Sequence, residues 1–147
     1  MRLHRLVPLL AVFLLALASC GDDASGGGST TTVVAGVSGS IHLSGGFAAR
    51  DETWVLESDG TVLGPDGYVG TVAAADRARL EAAVDAAGFF ELEAEYLPAD
   101  VCCDRFLYEV TLTRGATTHS VTTIDAADAP QALFDLIQTF FAVTRPA

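Results

Sequence analysis

Few side chains in this 147-residue chain are equipped for chemistry, and their spacing narrows the choice further. Of the three His, His4 lies in an apolar leader, which leaves His42 and His119. Neither stands beside a Cys or carboxylate at a ligand spacing, and neither His-Glu-x-x-His nor Cys-x-x-Cys occurs. A Ser/His/Asp triad assembles in space rather than in sequence, but no Gly-x-Ser-x-Gly elbow supports one. Asp51-Glu52 and the alternating Glu91, Glu93 and Glu95 are the acidic clusters. They hold the residue types of a glycosidase pair, yet read more simply as solvated edges. Asp59 and Asp66 stand in Asp-Gly turns, where the backbone favours them, with no calcium-loop spacing around them. The chain therefore reads as a non-enzyme, with no metal and no cofactor.

The three Cys divide into two cases. Cys20 closes Leu17-Ala18-Ser19-Cys20, an aliphatic residue and two small ones before a thiol. Those residues resemble a bacterial lipobox, in which the thiol accepts a diacylglycerol and becomes the new N-terminus. What precedes it agrees: Arg2 and Arg5 form a basic start, and Leu6 to Ala18 is almost wholly apolar. Thirteen residues are too few for a hydrocarbon core of roughly 30 Å, which takes about 20. More than one acyl chain on Cys20 would give stable membrane anchoring. The other two thiols, Cys102 and Cys103, are adjacent. Three readings compete for them: a vicinal disulfide, one buried and one exposed thiol without redox role, or a pair that bridges to a partner or binds a soft metal.

Charge removes further classes. Eight positive side chains, all Arg, face nineteen negative ones, for a net charge of −11. Losing Arg2 and Arg5 with the leader leaves six positives and a net charge of −13. Nucleic-acid binding needs a basic surface to displace counterions, so no nucleic-acid partner is expected. The absence of Lys excludes Schiff-base chemistry and a phosphate-binding loop of the Gly-Lys-Ser/Thr kind. The absence of Asn excludes N-glycosylation.

The elements that must position these groups follow from periodicity. Residues 1–19 read as a leader, 20–36 as the lipidated Cys and a Gly/Ser/Thr-rich linker, and 37–147 as one folded domain. Ser38–Leu43 alternates, with Ile41 and Leu43 on one face and His42 on the other. Gly45 and Gly46 break this strand, and Thr53–Glu57 forms the next, with Trp54 and Leu56 inward. Thr61–Leu63 is short. Ala73–Ala87 predicts a helix with Gly88 as its C-cap, after which Phe89 and Phe90 seal it onto the core. Glu91–Val101 is loop or edge. Arg105–Arg114 is the clearest strand, with Phe106, Tyr108, Val110 and Leu112 on one face, and a hairpin leads to Thr117–Ile124. A final helix starts at Pro130, taken as its first helical residue, and runs to about Thr144. The expected fold is α+β: an antiparallel sheet of about four strands with two helices packed on one face.

The order of short motifs is similar to that of the emfourin family, proteinaceous inhibitors of thermolysin-like zinc metallopeptidases such as protealysin. The motifs are Ile41-His42-Leu43-Ser44-Gly45-Gly46-Phe47-Ala48, Gly88-Phe89-Phe90, Asp104-Arg105-Phe106-Leu107-Tyr108, His119-Ser120-Val121 and the helix led by Pro130. The resemblance covers about residues 39–144. It implies an α+β fold and inhibition by docking on a metallopeptidase, without catalysis.

Docking needs an exposed, rigid, partly apolar patch. The candidates are the loop of Gly45, Gly46 and Phe47 and the loop from Leu97 and Pro98 to Cys103. Phe47 reads equally as a core aromatic closing the sheet end, and the two Gly read first as backbone shapers. The chain is thus expected to be a lipoprotein anchored through Cys20, on the outer face of the cytoplasmic membrane or in the outer membrane. Its partner would be a thermolysin-like metallopeptidase; the alternative is a non-inhibitory envelope interaction module.

Overall fold

The central strands form because their residues alternate and because both helices have apolar stripes to cover one face. In a computed structural model of the chain, residues 36–100 and 104–146 are described. Among them the order is β1 (Ser38–Gly45), β2 (Arg50–Leu56), β3 (Thr61–Leu63), β4 (Val69–Thr71), α1 (Ala74–Ala87), β5 (Glu95–Tyr96), β6 (Phe106–Arg114), β7 (Thr117–Ile124) and α2 (Gln131–Thr144). The architecture is α+β, as expected. The leader, Cys20 and the linker up to residue 35 lie outside the described residues, as do Cys102 and Cys103. No helix among the described residues is long and apolar enough to cross a membrane.

The sheet is larger than the alternation suggested, and it is mixed. Seven strands run in the order β4-β3-β2-β1-β6-β7-β5. All neighbours are antiparallel except β5, which lies parallel to β7 through Glu95↔Thr122 and Tyr96↔Thr123. The expectation of about four antiparallel strands is corrected on both counts. The two strands that did not read, β4 and β5, have three and two residues and no period of their own. Val69-Gly70-Thr71 has a Gly at its centre, and Glu95-Tyr96 adjoins acidic residues and Pro98.

The core lies between one sheet face and the helices. Ile41, Trp54, Leu56, Val110, Leu112 and Val121 from the sheet meet Leu80, Val84 and Ala87 of α1 and Leu133, Leu136, Ile137 and Phe140 of α2. Burying each large side chain contributes about 1.5–3 kcal/mol. The helix α1 ends at Gly88 in the left-handed region, φ 55° and ψ 39°, whose N–H bonds the carbonyls of Asp85 and Val84. At the start of α2, Pro130 is the N-cap rather than the first helical residue, with φ −55° and ψ 131°. Its fixed φ is the same in both positions; its extended ψ keeps it outside the helix.

The opposite face of the central strands is polar. Thr111 meets Ser120 and Thr113 meets Thr118 across β6 and β7, each hydroxyl pair 2.8 Å apart. His42 belongs to this face, as its phase predicted.

Candidate functional site

The loop joining β1 to β2 is a four-residue hairpin tip, 46–49, beyond the last pair Gly45↔Arg50. Its backbone is unusual. Gly45, Gly46 and Ala49 have φ of 93°, 67° and 46°. Gly serves the first two without strain, while left-handed Ala49 costs about 1–2 kcal/mol. The tip is held by two bonds, from Ala49 N to Gly46 O and from Gly46 N to Arg105 O, both 2.9 Å. A Cβ on Gly45 would stand 2.6 Å from the Arg105 carbonyl oxygen, so this Gly is required where β1 runs close to the start of β6. The two Gly therefore shape the backbone, as read from the sequence.

Phe47 is carried at this anchored tip and is 92% exposed. Of the two readings that the sequence left for it, a core aromatic is overturned: the tip projects past the last strand pair, and no described residue covers the ring. It exceeds the other large exposed apolar residues, Val69 at 67% and Leu63 at 40%.

Leu97 and Pro98 are half-buried and follow β5 at the sheet edge. The registers Gly45↔Phe106, Leu107↔Ile124 and Tyr96↔Thr123 put them at the same end of the sheet as the tip. Three strand spacings, about 14 Å, separate β1 from β5. The two candidate loops thus share an end of the molecule without forming one continuous patch.

Beneath the tip, three strands are tied by a cluster that the linear spacing did not show. His42 Nδ1 lies 2.6 Å from Glu109 Oε2, and Nε2 lies 2.7 Å from Asp51 Oδ1. A carboxylate on each ring nitrogen requires both to donate, so the imidazolium form is favoured. The His42 pKa is raised, first by the Glu109 bond, then by the Asp51 bond, against partial desolvation. The side chain is 34% exposed, which tempers the effect. Glu109 stands directly opposite His42 across β1 and β6, while Asp51 is diagonal to it on β2. His119 has a different part. It is half-buried against Phe89, with ring centroids 5.5 Å apart, and its Nε2–H donates to the Leu92 carbonyl at 3.0 Å.

Asp51-Glu52 divides in two. Asp51 is 82% exposed, but the Glu52 side chain is only 19% exposed. The expectation of a solvated edge is corrected for Glu52, which receives Arg50 Nε at 2.9 Å and Arg145 Nη2 at 3.1 Å. Arg145 stacks over Phe141, 3.8 Å from the ring centroid. Desolvation lowers the pKa of its guanidinium. By contrast Glu91, Glu93 and Glu95 are exposed, as expected of an edge. Tyr108 donates to Asp125 at 2.9 Å, and burial with that bond pushes its pKa up to about 12. No group of three or more His, Cys, Asp or Glu among the described residues could hold a metal ion.

No curated protein matches the chain. A family model does, over residues 68–140, and its description is Emfourin. The matched segment takes in Gly88-Phe89-Phe90, Arg105–Tyr108, His119–Val121 and Pro130, and it begins downstream of the Gly45–Phe47 tip. Over residues 68–140 the chain belongs to the Emfourin family.

Proposed function

We propose that the domain is a docking inhibitor of a thermolysin-like metallopeptidase, tethered to the envelope membrane by lipid on Cys20. Family membership supports the inhibitory class, since emfourins inhibit and do not catalyse. The observation that carries the contact is Phe47, 92% exposed on a tip that is hydrogen-bonded to Arg105, the residue before β6. An aromatic held rigidly in water loses little entropy on insertion into an apolar cleft. Gly45 and Gly46 fix the tip, and Leu97 and Pro98 offer a second, flanking contact at the same sheet end. Cys20 and its leader supply location, and the acidic domain supplies no nucleic-acid partner.

The test is inhibition of a thermolysin-like peptidase by the purified chain and by Phe47→Ala. The wild-type chain is expected to abolish turnover in a saturable way. Phe47→Ala should weaken inhibition by about 30-fold, the loss typical of an anchor worth about 2 kcal/mol. Unchanged turnover at micromolar concentration would overturn the inhibitor reading and leave the envelope interaction module. Equal inhibition by both forms would overturn Phe47 as the contact. Mass spectrometry of the N-terminal peptide tests the anchor, which requires a lipid-modified Cys20.

A further inference from the structure

Among the described residues, one side of β2 is unpaired over most of its length. All seven residues, Arg50–Leu56, pair with β1, but β3 meets only Val55 and Leu56. Glu57 N–H bonds Thr61 O. Antiparallel ladders alternate, so Val55 turns its backbone groups toward β3, and Thr53 and Asp51 turn theirs toward the same side, where no strand follows among the described residues. The strand β3 stops at Leu63, and the chain turns away through Pro65–Gly67.

Beside that edge, on the sheet face that carries the helices, lies a pocket of about 380 Å³ between β2, the turn at Pro65 and Asp66, and the residues after α2. The rings of Trp54 and Tyr68 line it, 5.5 Å apart and tilted by 57°. Arg50 and Arg145 line it too, with Glu52 between them. Hydrogen-bonding capacity there is one-sided. The Glu52 carboxylate is already ion-paired with Arg50 Nε and accepts from Arg145 Nη2 at 3.1 Å and Trp54 Nε1 at 3.3 Å. Between the aromatic wall and Glu52 the unused groups are donors. Arg145 Nε is buried with no partner among the described residues, and Arg50, whose side chain is half-exposed, lines the pocket while its Nε pairs with Glu52. Asp66 is an exposed acceptor at the rim. An incoming group therefore has to bring acceptor atoms, and a guanidinium fork fits a carboxylate best.

We propose that this pocket takes the free carboxylate end of an extended peptide, whose last residues pair with Asp51 and Thr53 along the open edge of β2. Backbone pairing would supply affinity, and the Trp54–Tyr68 wall would select an apolar final side chain. The volume suits one or two residues. The inference stands whether or not the domain inhibits a peptidase.

Trp54 is the chain's single Trp, so its fluorescence reports on the pocket alone. The full chain is titrated with N-acetyl-Ala-Thr-Val-Phe as the free acid, with its C-terminal amide and with N-acetylphenylalanine. The free acid is expected to change Trp54 emission saturably, with the amide about ten-fold weaker. N-acetylphenylalanine, which cannot pair along the edge, should also be weaker by about ten-fold. Arg50→Gln should weaken the free acid by a similar factor while leaving circular dichroism unchanged. No response up to about 10 mM overturns the site. Equal response to acid and amide overturns the carboxylate contact, and equal response to N-acetylphenylalanine overturns edge pairing in favour of a small-acid site.

Discussion

Gly45-Gly46-Phe47 and Gly88-Phe89-Phe90 look alike in sequence and begin alike in backbone. Gly46 and Gly88 both lie in the left-handed region, with φ of 67° and 55°. Their aromatic residues end oppositely: Phe89 is 1% exposed and Phe47 is 92% exposed. The difference is what lies past the turn. Gly88 ends a helix that already rests on the core, so the next ring drops between Phe90 and His119, at centroid distances of 5.6 and 5.5 Å. Gly46 opens a hairpin tip that has outrun the sheet. Local sequence set the turn in each case, and tertiary surroundings decided burial. Folding accounts for Phe89; it does not account for Phe47, whose ring gains none of the stabilisation that burial brings.

The sharpest way to break this comparison is Phe89→Ala. The loss of a fully buried aromatic should cost about 3–5 kcal/mol, read as a drop in denaturation midpoint. A cost below about 1 kcal/mol would mean that Phe90 and His119 close the gap, and that Phe89 holds the fold no more than Phe47 does.

The glycines give the next effect. Ala at Gly45 meets both a φ of 93° and the Arg105 carbonyl oxygen at 2.6 Å. Ala at Gly88 meets left-handed strain and only Glu91 Oε2 at 3.4 Å. Gly45→Ala should therefore cost about 2–3 kcal/mol and Gly88→Ala about 1 kcal/mol in urea denaturation. Equal costs would show that the tip yields where the helix end does, against the rigid docking tip argued above.

How much of this was legible follows the range of each interaction. Local signals read well: the alternation of Phe106–Leu112, the Gly88 cap and the end of α2 at Thr144 all appear where the sequence put them. The strands β4 and β5 did not read, because their order comes from neighbours and not from their own pattern. The site is mostly long-range. Arg145 reaches Glu52 across 93 residues and His42 reaches Glu109 across 67. No spacing rule links such pairs. The exposure of Phe47 depended on where the sheet ends, which periodicity places only to within a few residues.

The two turns also differ in what supports them. Past Gly88 the chain packs Phe89 against Phe90 and His119, whereas the strands under the tip are crossed by the ion pairs of His42 with Asp51 and Glu109. The folded pKa of His42 is raised above 6.5. Its stabilisation is complete below pH 6.5 and is lost as pH rises through the raised value. His42→Gln should flatten the dependence of the urea midpoint on pH across that window. An unchanged slope would show that the clamp does not titrate in that window.

The smallest expected effect on stability is the most telling. Phe47 is 92% exposed, so Phe47→Ala removes a ring that touches little of its own protein. Its denaturation midpoint should match wild type within about 0.5 kcal/mol, in contrast to Phe89→Ala. If Phe47→Ala instead destabilised the domain by more than about 1 kcal/mol, the ring would be packing in solution, and weakened inhibition would report misfolding rather than a lost contact. A stable variant with impaired docking would separate the two aromatics by role: one keeps the helix on the sheet, and the other is held in water for a partner to bury.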